Sequence, residues 1–195
     1  MGKIYYVMGK SSSGKDTIYK KIMDKMSGIL KTVVGYTTRP MREGETDGVE
    51  YFFVDNDRYS EMCRQGIVIE SRDYNTVYGV WSYFTADDGQ IELEKNDYLL
   101  IGTLESYSKI RDYYGEKNVV PIYIEVEDGE RLSRALEREK KQEVPKYEEM
   151  CRRFLADQQD FCEEKLKESG IIKRYKNINQ EKIDYEEWTK FLSYY

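Results

Sequence analysis

Short apolar runs of strand length alternate along the chain with stretches whose apolar residues recur at helical spacing. Ile4 to Met8 is an uninterrupted run of the kind buried on both faces of a sheet, and Ile18, Ile22, Met23 and Met26 then fall at helical spacing. Leu30 to Val34 and Tyr51 to Val54 read as further strands, separated by a glycine- and charge-rich stretch from Gly35 to Glu50. Tyr98 to Ile101 and Val119 to Ile124 are two more buried strands, with a helix between them marked by Leu104, Tyr107, Ile110 and Tyr113. Met150, Phe154, Leu155 and Phe161 mark a long amphipathic helix, and Trp188 and Leu192 sit on a last one. This alternation predicts an α/β fold with a mostly parallel sheet. Two stretches break it. The expectation is a single domain over residues 1–195, with a core of about 1–34, 83–127 and 159–195 and insertions at about 35–82 and 128–158.

Composition narrows the chemistry more than the fold. The 195 residues suffice for a core without disulfides, and Cys63, Cys151 and Cys162 fit neither a disulfide framework nor a zinc site. No apolar run is long enough to span a bilayer. The sequence enters a strand pattern without a basic-then-apolar leader, so a cytoplasmic protein without membrane contact is expected. A net charge of -6 argues against a nucleic-acid surface but leaves room for an anionic small molecule in a locally basic cleft. With no histidine in the chain, serine–histidine and cysteine–histidine mechanisms are excluded.

One motif carries specific chemistry. Gly9-Lys10-Ser11-Ser12-Ser13-Gly14-Lys15 fits G-x-x-x-x-G-K between an expected strand and helix, the context of a phosphate-binding loop. Its glycines allow a tight turn whose N–H groups face phosphate oxygens, Lys15 reaches the β- and γ-phosphates, and the helix N-terminus adds its positive dipole end. ATP is the expected phosphoryl donor. The residue after the lysine, usually the Ser or Thr that ligates Mg2+, is Asp16, followed by Thr17. Asp16 is a candidate magnesium ligand, directly or through a water, or simply an acidic residue favoured in a helix first turn.

A second stretch resembles the guanylate kinase family. Thr37-Thr38-Arg39-Pro40-Met41-Arg42-Glu43-Gly44-Glu45, then Gly48-Val49-Glu50-Tyr51-Phe52-Phe53-Val54, is similar to the family's T-T-R-x-x-R-x-G-E and G-x-x-Y-x-F, and the likeness continues in Ile69-Glu70 and Tyr78-Gly79. The resemblance implies a P-loop three-layer α/β/α core, a small monophosphate-binding insertion and a helical lid, acting as a monomer or homodimer on nucleotides. It implies that Arg39 and Arg42 grip the acceptor phosphate with planar donors, helped by Tyr51 and Tyr78, and that Glu70 accepts from guanine N1–H and the exocyclic amine. Arg134, Arg138 and Arg153 are the lid arginines it implies, and Asn177 is placed near the adenine of ATP. Departures fall where the base is read: Gly35 and Val80 stand where the family usually has Ser or Ser/Thr, and Ile101-Gly102-Thr103 replaces an acidic D-x-D segment, leaving Thr103 as a candidate there. Phosphorylation of GMP by ATP is the leading expectation. A kinase for a sugar phosphate such as ribose 1,5-bisphosphate, and a non-catalytic interaction module, are the alternatives.

Overall fold

The computed structural model describes residues 1–76 and 79–177. The expected last helix around Trp188 and the candidate Tyr78 lie outside the described residues. Five parallel strands form the central sheet in the order β2-β7-β1-β8-β9: β1 Ile4–Met8, β2 Leu30–Thr32, β7 Asp97–Gly102, β8 Val119–Glu125 and β9 Arg174–Lys176. β1 lies in the middle, and its side chains alternate between two cores. Ile4, Tyr6 and Met8 pack with Leu104, Tyr107 and Ile110 of α3 (Leu104–Tyr114) and with Leu166 of α6 (Glu163–Glu168), whereas Tyr5 and Val7 pack with Ile18 and Ile22 of α1 (Lys15–Lys25). Period-two alternation with both faces covered is the three-layer arrangement, and it accounts for the uninterrupted apolar run of β1.

A second sheet, order β4-β3-β6-β5, is built from β3 Tyr36–Thr37, β4 Phe52–Phe53, β5 Val68–Thr76 and β6 Gly79–Ala86. With α2 (Asn56–Arg64) it has a separate small core of Met62, Phe84 and Ala86, walled by Tyr36, Val54 and Tyr59. β6 runs through the expected boundary at 82/83, because Ser82, Phe84 and Ala86 alternate inward without a break. Two helices follow β8: α4 (Asp128–Lys140) and α5 (Tyr147–Asp160).

Some sequence expectations need adjusting. β2 stops at Thr32 rather than Val34, since the Val34 N–H donates to Gln90 Oε1 and Val34 O accepts from the same amide. α5 carries no fully buried residue. Phe154 lies under the Arg131 guanidinium, 4.8 Å from its ring centroid, while Leu155 is exposed. Among the described residues, no helix is long and apolar enough to cross a membrane.

Candidate functional site

The loop after β1 is shaped by two glycines for different reasons. Gly14 caps α1 at φ 83, in the left-handed region, and Gly9 lies so near β8 that a Cβ there would meet Ile124 O at 2.6 Å. Ser12, at φ 61, is the one non-glycine with positive φ among the described residues, a strained backbone of the kind found at ligand sites. Ser12 Oγ and Ser13 Oγ are buried and make no hydrogen bond. Orphaned hydroxyls in a glycine-hinged turn ahead of a helix N-terminus suit a phosphate, which supplies acceptor oxygens.

Lys15 begins α1, and its Nζ lies 3.4 Å from Asp16 Oδ2; the Asp16 side chain is 77% exposed. No cluster of three acidic or thiol groups that could hold a metal occurs among the described residues. A magnesium ion shared between one carboxylate, phosphate oxygens and water needs no such cluster, so the exposed Asp16 beside Lys15 fits that role. Asn177, placed near adenine by resemblance, braces the loop, its Nδ2 donating to Ser13 O at 2.8 Å and blocking a Cβ at Gly14, and it also lines a cavity of about 630 Å³ with Lys10 and Asp128.

The helices α4 and α5 are latched to the same loop through Asp128, Arg131, Asp157 and Gln158, which sequence reasoning passed over. Arg131 is almost completely buried. It donates to Asp128 Oδ1, to Asp157 Oδ2 and to Ser11 O, and Asp157 Oδ2 also accepts from the Ser11 N–H at 2.8 Å. Lys10 Nζ donates to Gln158 Oε1, whose amide donates to Asp128 Oδ2. Burial works to raise the Asp128 pKa, but hydrogen bonds from Arg131 and Gln158 and the charge of Lys10 override it, and the group ends below the usual carboxylate range. The i, i+3 spacing of Asp128 and Arg131 was the only sequence signal of this cluster.

A cavity of about 460 Å³ lies between this loop and α4 and α5, and its walls include Ser11, Ser12, Arg42, Arg131, Arg138 and Arg153. Arg42, from the loop after β3, and Arg138 and Arg153, two of the three arginines expected in a lid, therefore meet at the phosphate loop. Arg134 does not join them: its Nε is paired with Glu130 and its Nη2 donates to Asn177 O at 3.2 Å.

Arg39 and Arg42 differ sharply. The Arg39 guanidinium is buried and bound through both forks to Glu45 at 2.6 and 2.7 Å, with Nε on Tyr83 OH at 3.1 Å and Nη1 on Pro40 O at 3.0 Å. Hydrogen bonds from Arg39, then from the Arg42 N–H, hold the Glu45 carboxyl at about 2. The Arg42 side chain is exposed and faces the cavity. Burial raises the Tyr51 hydroxyl pKa. Tyr51 borders a second cavity, about 770 Å³, with Arg72, Tyr74, Trp81, Tyr83 and Arg153. Arg153 lines both cavities, so the arginine-walled cavity and the aromatic cleft adjoin. Glu70 is sealed: its side chain is 1% exposed, Oε1 accepts from Thr85 Oγ1 at 2.9 Å, and Arg72 Nε lies 3.2 Å from Oε2. Thr103 caps α3 by accepting from the Ser106 N–H, and Arg72 Nη1 reaches its hydroxyl at 3.5 Å.

A parallel sheet ending in a phosphate loop, a small second sheet bearing an arginine loop, and two arginine-bearing helices across the gap together define the architecture of P-loop monophosphate kinases. The guanylate kinase family model matches residues 1–181, and the chain belongs to the guanylate kinase family. It is 40% identical over 79 residues to a guanylate kinase of Legionella pneumophila (strain Lens), a segment covering 40% of this chain and 37% of that protein. A guanylate kinase of Helicobacter hepaticus is 29% identical over 117 residues, 59% of this chain and 56% of that protein. The alignments thus span less than two thirds of these relatives. The crystal structure of guanylate kinase from Anaplasma phagocytophilum shares the fold, with a TM-score of 0.62 at 19% identity, covering 99% of this chain and 83% of that one.

Proposed function

We propose that this chain transfers the γ-phosphoryl group of ATP to GMP, giving ADP and GDP. The observation that carries the reading is the meeting of Arg42, Arg138 and Arg153 with Ser11 and Ser12 around one cavity. Two polyanions brought end to end repel each other, and a cluster of arginines at the loop that cradles one of them offsets that repulsion.

The phosphate loop and Lys15 hold the donor phosphates, and Arg42 holds the acceptor phosphate with Tyr51 nearby. An ionised acceptor oxygen forms the new bond to the γ-phosphorus as the bond to the β,γ-bridging oxygen breaks, and the electron pair leaves with ADP. That nucleophile needs no proton removed, which fits a chain without histidine. Arg138 and Arg153 neutralise charge on the moving phosphoryl group, and closure of α4 and α5 excludes water. Asp16 would hold Mg2+, which supplies further charge neutralisation when bound. Residues 35–82 and 128–158 act as the acceptor-binding and lid units. Cytoplasmic action as a monomer or homodimer completes the reading.

A coupled assay of ADP release with GMP, dGMP, AMP, UMP and ribose 1,5-bisphosphate tests it. GMP and dGMP should give the highest kcat/KM. Preference for ribose 1,5-bisphosphate, or no turnover with any acceptor, would sink the proposal.

A further inference from the structure

Arg72 stands between Glu70 and the aromatic cleft. Its side chain is 22% exposed against 1% for Glu70, and it lines the 770 Å³ cavity that Glu70 does not reach. The two are an ion pair at 3.2 Å, yet neither Arg72 Nε nor Glu70 Oε2 completes a hydrogen bond. The contact of Nη1 with Thr103 Oγ1, at 3.5 Å, is at the limit of a hydrogen bond. With its buried Nε turned to the carboxylate and its Nη1 held only weakly by Thr103, the Nη side of this arginine suits a ligand that brings acceptors of its own. Around it Tyr51, Tyr74 and Tyr83 meet edge to face, with centroids 5.4–5.5 Å apart, and Trp81 closes the cleft. Flat apolar walls of this kind accept a purine ring.

Guanine carries two acceptors side by side, O6 and N7, which match the forked donors of an arginine; adenine carries N7 beside an amino donor. We propose that Arg72 is the specificity-determining residue of the acceptor site, reading O6 and N7 of the base, and that Glu70 is a positioning residue that anchors Arg72 from behind instead of touching the base. This rests on the purine monophosphate reading above and changes what is selected. The site prefers a 6-oxopurine, so IMP, which has the same O6–N7 edge as GMP and lacks the 2-amino group, is accepted alike.

The test is steady-state kinetics with GMP, IMP and AMP for the wild type, Arg72→Lys and Glu70→Gln, with melting temperatures for all three. Lysine keeps the charge beside Glu70, and hence the fold, but loses the planar fork. Wild-type kcat/KM for GMP and IMP should agree within about threefold, with AMP far lower. Arg72→Lys should raise KM for GMP and IMP together by roughly 10- to 100-fold, leaving kcat and the KM for ATP near wild type. Glu70→Gln should give a smaller loss that leaves the GMP:IMP ratio unchanged. A folded Arg72→Lys with the wild-type KM for GMP overturns the assignment. So does a strong wild-type preference for GMP over IMP that Glu70→Gln abolishes, since Glu70 would then read the 2-amino group itself. A wild type that phosphorylates neither GMP nor IMP refutes the functional reading, and this proposal with it, before any variant is compared.

Discussion

At the scale of single residues, the two motif arginines look equivalent in sequence and are not. Arg39 is buried with its forks on Glu45, whereas Arg42 is exposed toward the cavity. Arg42→Ala should therefore raise the KM for the acceptor by roughly 10- to 100-fold, the worth of a charge-assisted contact, and leave the Tm unchanged. Arg39→Ala should lower the Tm clearly as well, because Glu45 loses its partner; equal melting temperatures would refute the distinction. Motif spacing made Gly9, Gly14, Lys15 and Arg42 legible, since each is fixed by local backbone geometry or by its place on a short loop. It could not show that Glu70 is screened by Arg72 or that Asn177 braces Ser13, because those are contacts across the fold. Asp16 offers a further test at this scale. If its carboxylate holds magnesium, Asp16→Ala shifts the magnesium dependence of the initial rate to higher concentration, and Asp16→Ser keeps substantial activity because a hydroxyl fits the same octahedral site. Superimposable magnesium titrations for wild type and Asp16→Ala would leave only a helix-dipole role, worth about 0.3–1 kcal/mol.

At the scale of elements, strands buried on both faces were easy to read, whereas in the second sheet only β4 was. β1, β7 and β8 are near-continuous apolar runs, but β5 reads Val-Ile-Glu-Ser-Arg-Asp-Tyr-Asn-Thr, with polar residues facing a cleft rather than a core. Its pairing with β6 along most of its length holds it extended where hydrophobic pattern gives little help. α4 and α5 were legible as charged and amphipathic segments, yet what joins them to the phosphate loop is polar: Arg131 bridges Asp128, Asp157 and Ser11 O. Removing the arginine leaves the largely buried Asp157 without its counter-charge, and breaking a buried pair from one side costs roughly 3–5 kcal/mol. Arg131→Met should thus lower the denaturation midpoint by a corresponding amount. Asp157→Asn in the same background should recover part of the loss, because the uncompensated charge is gone. A double-mutant cycle that shows no coupling would exclude the latch.

At the scale of the whole molecule, the two sheets have separate hydrophobic cores of very different size. The central sheet is packed on both faces, while the second sheet rests on Met62, Phe84 and Ala86 with a ring of half-buried aromatics and aliphatics around them. Buried apolar area sets local stability, so the smaller unit should open without global unfolding. Amides of β3, β5 and β6 are expected to exchange through a sub-global opening at a lower free energy than those of β1, β7 and β8. The aromatic cleft is bordered by Arg152 and Arg153 of α5, so such an opening would widen it. If GMP binds residues of the second sheet as proposed, GMP should slow exchange there selectively, while ATP alone should protect the phosphate loop and the start of α1. Native-state hydrogen exchange at increasing denaturant, without ligand and with each nucleotide, measures both effects. A single opening free energy for both sheets, or equal protection of the acceptor unit by ATP and by GMP, would show that the chain moves as one body and that substrate closure is not built into the smaller core.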